Sequence, residues 1–119
     1  MNQSPIFVVK SLGFNRRIGF VKQSEKPNLE IRDWGFYHEF QMARDSVLKN
    51  VTGINENGSY PWAIITVEFP GLCQSAWWRT DCWFYQWIGS IETGGYQRTD
   101  SMPPEVKKYF DDLGIAPGF

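Results

Sequence analysis

Residues 75–87, SAWWRTDCWFYQW, hold four of the chain's six tryptophans beside Arg79, Asp81 and Tyr85. Tryptophan and tyrosine pair an apolar body with one polar atom, so they favour places that are half apolar and half wet. Taken as an extended strand, 77–88 sorts by alternation into two faces. Trp78, Thr80, Cys82, Phe84, Gln86 and Ile88 fall on one. Trp77, Arg79, Asp81, Trp83, Tyr85 and Trp87 fall on the other. A bulge at Thr80–Asp81 would invert every assignment before it. Three uses fit the second face. It can be a further apolar layer with Arg79 and Asp81 paired at its edge. It can be an interface with another protein or a second copy, because Trp, Tyr and Arg dominate interface energetics. It can be a platform for a flat ligand such as a nucleobase, with Arg79 or Arg98 holding phosphate. Stacking one base contributes roughly 1–3 kcal/mol, so such a ligand also needs its phosphate contacts.

Other chemistry has a thinner basis. His38 beside Glu39 has no neighbouring serine or cysteine to activate, although histidine is a common general base. Glu68, Asp81 and Glu92 are scattered acids, which are usually solvated. Gly94-Gly95 follows neither a phosphate-loop nor a dinucleotide pattern and reads as a turn. Two cysteines, Cys73 and Cys82, and one histidine do not make an ordinary zinc site or a disulfide framework. Two reduced, partly buried thiols are expected, and no metal or cofactor is called for.

The chain's 119 residues fit one domain, and 42% hydrophobic with 21% charged residues is ordinary for a folded protein. The 17% aromatic content argues against disorder. No apolar run approaches the roughly 18 residues of a membrane-spanning helix. The opening MNQSPIFVVKSLGFNRR lacks the order of a signal peptide, so a cytoplasmic setting is expected. The net charge of −1 hides an asymmetry: residues 1–32 carry six basic and two acidic side chains, and residues 33–119 carry six and eleven. Arg16, Arg17, Lys22, Lys26 and Arg32 could meet an anion, with Arg16-Arg17 as a phosphate-holding pair, or could simply solvate a hairpin. There is no basic excess for general DNA or RNA binding.

The elements that position these residues follow from periodicity. IFVVK reads as a strand, LGFNRR as a turn through Gly13 and Asn15, and RIGFVKQ as the returning strand. Pro27 breaks the chain, and LEIRDW alternates as a third strand. Phe40, Ala43, Val47 and Val51 then fall at helical spacing, flanked by Tyr37 and Leu48, which predicts a helix from Tyr37 to Asn50 with an Asp45–Lys49 pair on its outer side. Asn57-Gly58 marks a turn. YPWAIITVEF is the clearest strand: Ala63, Ile65, Val67 and Phe69 on one face, Trp62, Ile64, Thr66 and Glu68 on the other. After the tryptophan strand come a short strand YQRT and a helix EVKKYFDDLG, with Val106 and Phe110 on one face, Leu113 extending it and Gly114 as the stop. The expected fold is α+β: one domain over 1–119, an antiparallel sheet of five or six strands, one main helix packed on one face and a short C-terminal helix. The main helix has a single apolar stripe and needs one sheet face, which leaves the other to solvent, a ligand or a partner.

ARDSVLKNVTGINENGSYPWAIITVEFPGL, then WFYQW, GYQRT and PPEVKKYFDDLGI, resembles a loose group of small proteins of bacteriophages and gut-type bacteria. That group has a helix, an acidic loop, a Y-x-Y-A strand running through hydrophobic residues to Glu and ending in Gly-Leu, a Trp-Phe strand, a Tyr strand and a tail begun by Pro-Glu. The resemblance spans roughly residues 29–115. This chain departs from it where Ile64-Ile65-Thr66-Val67 lengthens the strand before Glu68 and where Trp77-Trp78 thickens the aromatic run. The resemblance implies a phage or mobile-element accessory protein in the bacterial cytoplasm and carries over no catalytic residue.

Together these readings give the expectation of a non-enzymatic binding protein, a counter-defence factor acting by stoichiometric binding of a host protein or by self-assembly as a homo-oligomer. Its binding residues would be drawn from Trp77, Arg79, Trp83, Tyr85, Trp87, Arg98, Arg16 and Arg17. The alternative is a sponge for a nucleotide signalling molecule, with bases on the same rings and arginines on phosphate. An enzyme built on His38 and a carboxylate is a third, weaker reading.

Overall fold

A computed structural model describes residues 5–15, 28–68, 82–115 and 117–119. Strand β1 (Ile6–Asn15) pairs antiparallel with β2 (Asn28–Tyr37) on one side and β3 (Trp62–Glu68) on the other. Strands β4 (Cys82–Ile88) and β5 (Gly95–Thr99) complete a five-stranded sheet of order β2-β1-β3-β4-β5. Every pairing is antiparallel. Helix α1 (Phe40–Leu48) follows β2, and α2 (Pro104–Leu113) follows β5. The α+β architecture expected from the sequence is the one found.

Alternation decides which side chain meets which layer. Ala63 and Ile65 of β3, Val9 of β1 and Tyr85 of β4 point toward α1, where Ala43 and Val47 complete a buried cluster with Ile54 and Tyr96. Leu12, Trp62, Ile64 and Phe84 point the other way and are buried against Val106 and Phe110 of α2. Phe119 joins this second cluster, edge-on to the rings of Phe84 and Phe110. The second sheet face is therefore covered by α2 and the terminal residues, which corrects the expectation that it stays open. Val106 and Phe110 share the inward stripe of α2, but Leu113 is mostly exposed. Gly114 closes that helix in the left-handed conformation at φ 70°, the geometry glycine adopts without a Cβ penalty.

Three local expectations are corrected. The segment LGFN is strand, because β1 continues through Asn15 and pairs residue for residue as far as Asn28. Gly13 is needed for another reason: a Cβ there would collide with the backbone oxygen of Ser59 and crowd the Tyr60 ring at 3.1 Å. Tyr37 ends β2 and does not begin α1, which runs only from Phe40 to Leu48. A bulge produces the change. Val9 pairs with Gly35 and Lys10 with Asp33, so Trp34 is the extra residue. One extra residue reverses the faces beyond it, turning Tyr37 toward the α1 cluster. Asp45 does not depend on Lys49; its carboxylate lies 3.5 Å from the Arg44 guanidinium. RIGFVKQ lies outside the described residues, as do residues 69–81.

Candidate functional site at the margin of α1 and β5

The aromatic row of β4 faces α1. Tyr85 is 1% exposed and belongs to the buried cluster beneath the helix, whereas Trp83 and Trp87 are half-buried at its two ends. Trp83 packs on Phe40 with ring centroids 4.4 Å apart, and Trp87 meets Tyr96 edge to face at 4.9 Å. The Trp87 indole N–H donates to the Ser90 carbonyl at 3.0 Å, tying the β4–β5 turn. The central ring is thus core, and the outer two are anchored rings with a face or an edge already engaged.

Across the β4–β5 pair, Tyr85 stands directly opposite Arg98, and Trp87 opposite Tyr96. Residues opposite each other on neighbouring strands share a face, so exposed Arg98 flanks the buried phenol on the α1 side. On α1, Ser46 lies toward β2, where it shares a cavity wall with Trp34 and Tyr37. Two residues earlier, about 200° around the helix, Arg44 lies on the opposite flank, toward β5, which α1 also contacts. Burial pushes the Tyr85 phenol above its ordinary pKa, while the positive charges of Arg98 and Arg44 hold it down.

Two donors at this margin are unused. The Tyr85 hydroxyl and the Arg44 Nε are buried and have no hydrogen-bond partner among the described residues. Buried polar groups are nearly always paired, and each orphan costs about 1–3 kcal/mol. The remainder of Arg44 is half-exposed and leans on Asp45. The exposed side chain of Leu48 sits one helical turn beyond Arg44.

The β2 side of α1 is built differently. A cavity of about 80 Å³ is lined by Val9, Trp34, Tyr37, Ser46, Val51, Thr52 and Ile54. Pockets for drug-sized ligands span roughly 300–1,000 Å³, so this space is too small for a nucleotide. Two of its hydroxyls are engaged: Ser46 Oγ donates to the Ala43 carbonyl at 2.7 Å, and Thr52 Oγ1 to the Val51 carbonyl at 2.6 Å. The loop above it carries Asn50, Thr52, Glu56 and Asn57 at positive φ. The Asn50 side chain holds it by accepting from the Asn55 amide at 2.9 Å. Arg32 of β2 pairs with Glu56 and lies over the Trp34 ring at 4.7 Å.

Of the residues expected to bind, Trp83, Tyr85, Trp87 and Arg98 are brought together, with Tyr85 as a sealed floor. Trp77, Arg79, Arg16 and Arg17 lie outside the described residues. His38 sits before α1, exposed, with its ring edge-on to Phe36 at 5.9 Å. Among the described residues no three His, Cys, Asp or Glu side chains converge as metal ligands, and no helix is long and apolar enough to cross a membrane. Sequence reasoning missed Arg44, which it placed only on the polar side of the helix; the signal available was its position one residue after core-facing Ala43. No protein-family model, no curated protein and no solved structure matches the chain.

Proposed function

We propose that this is a non-enzymatic binding protein, a phage or mobile-element accessory factor of the counter-defence type, that acts by forming a stoichiometric complex with a host protein in the bacterial cytoplasm. The phage setting rests on the resemblance of residues 29–115. The binding reading rests on one observation: on the α1 face of the sheet, exposed Arg98 stands opposite Tyr85, and half-buried Trp83 and Trp87 flank Tyr85 on the same face of β4. Arginine and tryptophan around a desolvated centre are the composition of an interface hot spot.

The nucleotide-sponge reading draws less support from the same residues. A base needs an open ring face, and Trp83 already has Phe40 against it while Trp87 is met by Tyr96. Thermal melting separates the two. Cyclic dinucleotides, cyclic trinucleotides and ADP-ribose derivatives leave the melting temperature unchanged under host-protein binding. Under a sponge, one of them at a hundred times its dissociation constant adds about 2.7 kcal/mol. A host protein that co-purifies with the wild type and is lost with Arg98→Glu, at unchanged melting temperature, supports the reading. A nucleotide-dependent rise in melting temperature replaces it.

A further inference from the structure

We propose that β2 is a self-association edge: two copies of the chain pair their β2 strands antiparallel about a two-fold axis at Ile31. The surface lies at the edge of the sheet away from β5, so it goes beyond the host-binding reading and does not depend on it.

β2 is an outer strand, and among the described residues no strand pairs with its far edge. Such an edge is a row of N–H and C=O groups that templates another strand. The outer strand on the other side, β5, has only five residues, whereas β2 has ten. The run Asn28–Asp33 is regular and ends at the Trp34 bulge. It contains neither proline nor lysine, two of the residue types that blunt an edge. Glu30, Ile31, Arg32 and Asp33 are all exposed.

Charge selects a second copy as the occupant. Ile31 stands opposite Leu12 and so lies on the α2 side of the sheet, with Glu30 and Arg32 on the α1 side. With the axis at Ile31, Ile31 meets Ile31, and Glu30 of each copy lies opposite Arg32 of the other. Opposite charges across a strand pair stabilise it, and like charges directly opposite destabilise it. The smallest slip that keeps the faces matched is two residues. It sets Glu30 against Glu30 in one direction and Arg32 against Arg32 in the other. The strand is therefore complementary to itself in one register and repels itself in the two adjacent ones. Arg32 already meets Glu56, but its side chain is half-exposed, and a guanidinium has five N–H donors to share between two carboxylates. One surface paired with itself closes at the dimer, whereas β2 against β5 would run head to tail.

Sedimentation over a concentration series tests this, with melting temperatures checking that each variant is folded. The wild type is expected to dimerise. Glu30→Arg and Arg32→Glu, each alone, place like charges opposite and should weaken the dimer about tenfold or more. An equimolar mixture of the two variants restores opposite charges at every position and should form a heterodimer as tight as the wild type. A second arm leaves the charges intact: Ile31→Cys brings two thiols to roughly 4.5–5.5 Å between Cα atoms, within disulfide reach, and should cross-link under mild oxidation well above the wild-type level. A wild type that stays monomeric at every concentration overturns the proposal, as does a dimer that both single variants keep at full strength. A mixture that does not recover the dimer, or an Ile31→Cys variant that cross-links no more than the wild type, overturns the register and the two-fold at Ile31.

Discussion

Tyr85 and Arg98 stand directly opposite each other on β4 and β5, one sealed in the core and the other exposed beside it. The pair marks where the apolar layer beneath α1 becomes a charged margin. It also makes the phenol oxygen a point of internal cost, because burial has removed water from it and none of the described residues gives it a partner.

Removing that oxygen relieves the cost. Tyr85→Phe is expected to leave unfolding free energy unchanged or raise it by up to about 1 kcal/mol, since it deletes an unpaired donor and keeps the ring. Tyr85→Ala is expected to lose about 3–5 kcal/mol, the range for emptying an aromatic core position. Urea unfolding of both variants checks this. A Tyr85→Phe loss above about 1 kcal/mol would mean that the hydroxyl has a stabilising partner in solution.

The tyrosines set the alkaline limit of stability. Burial raises Tyr96 well above the ordinary phenol value of 10, Tyr85 is raised by burial against the pull of Arg98 and Arg44, and Tyr60 is raised by burial and then by Glu30. The folded state keeps protons that the unfolded chain releases. Their stabilisation is therefore complete below pH 10 and is lost as pH climbs through the folded-state values, at up to about 1.4 kcal/mol per pH unit for each tyrosine. The urea midpoint should hold steady from pH 8 to 9 and fall above pH 10, with a shallower fall in Tyr96→Phe. A midpoint that stays level to pH 11 contradicts this.

Gly13→Ala tests the packing of β1 against the loop before β3. The added methyl meets backbone at Ser59, which cannot swing aside as a flexible side chain would. Overpacking of this kind costs typically 1–3 kcal/mol. A calorimetric scan should show a clear drop in melting temperature; a melting temperature equal to wild type would mean that the loop lies farther from β1.

The sequence made some of this legible and hid the rest for physical reasons. Period-two alternation assigned Ala63 and Ile65 against Trp62 and Ile64, and Trp83 and Tyr85 against Phe84, because face is a local property of a strand. The Asn57-Gly58 turn and the Gly114 stop were readable because their positive φ values select those residue types. Alternation could not say which face receives which helix. The covering of Ile64 and Phe84 by Val106 and Phe110 is a long-range outcome of topology. The Trp34 bulge was equally hidden, since an unpaired residue is defined by its partner strand, and with it went the placement of Tyr37. Arg44 looked like an ordinary polar helix residue until β5 stood beside it.

The central claim is that the Arg98 margin beside Tyr85 is where a host protein docks. Native mass spectrometry of the protein purified from host cells, as wild type and as Arg98→Glu, measures it most directly. The account predicts a complex of one fixed protein-sized mass with the wild type, absent from the folded Arg98→Glu variant. The same complex carried undiminished by Arg98→Glu, or a nucleotide-sized mass on the wild type, would contradict it.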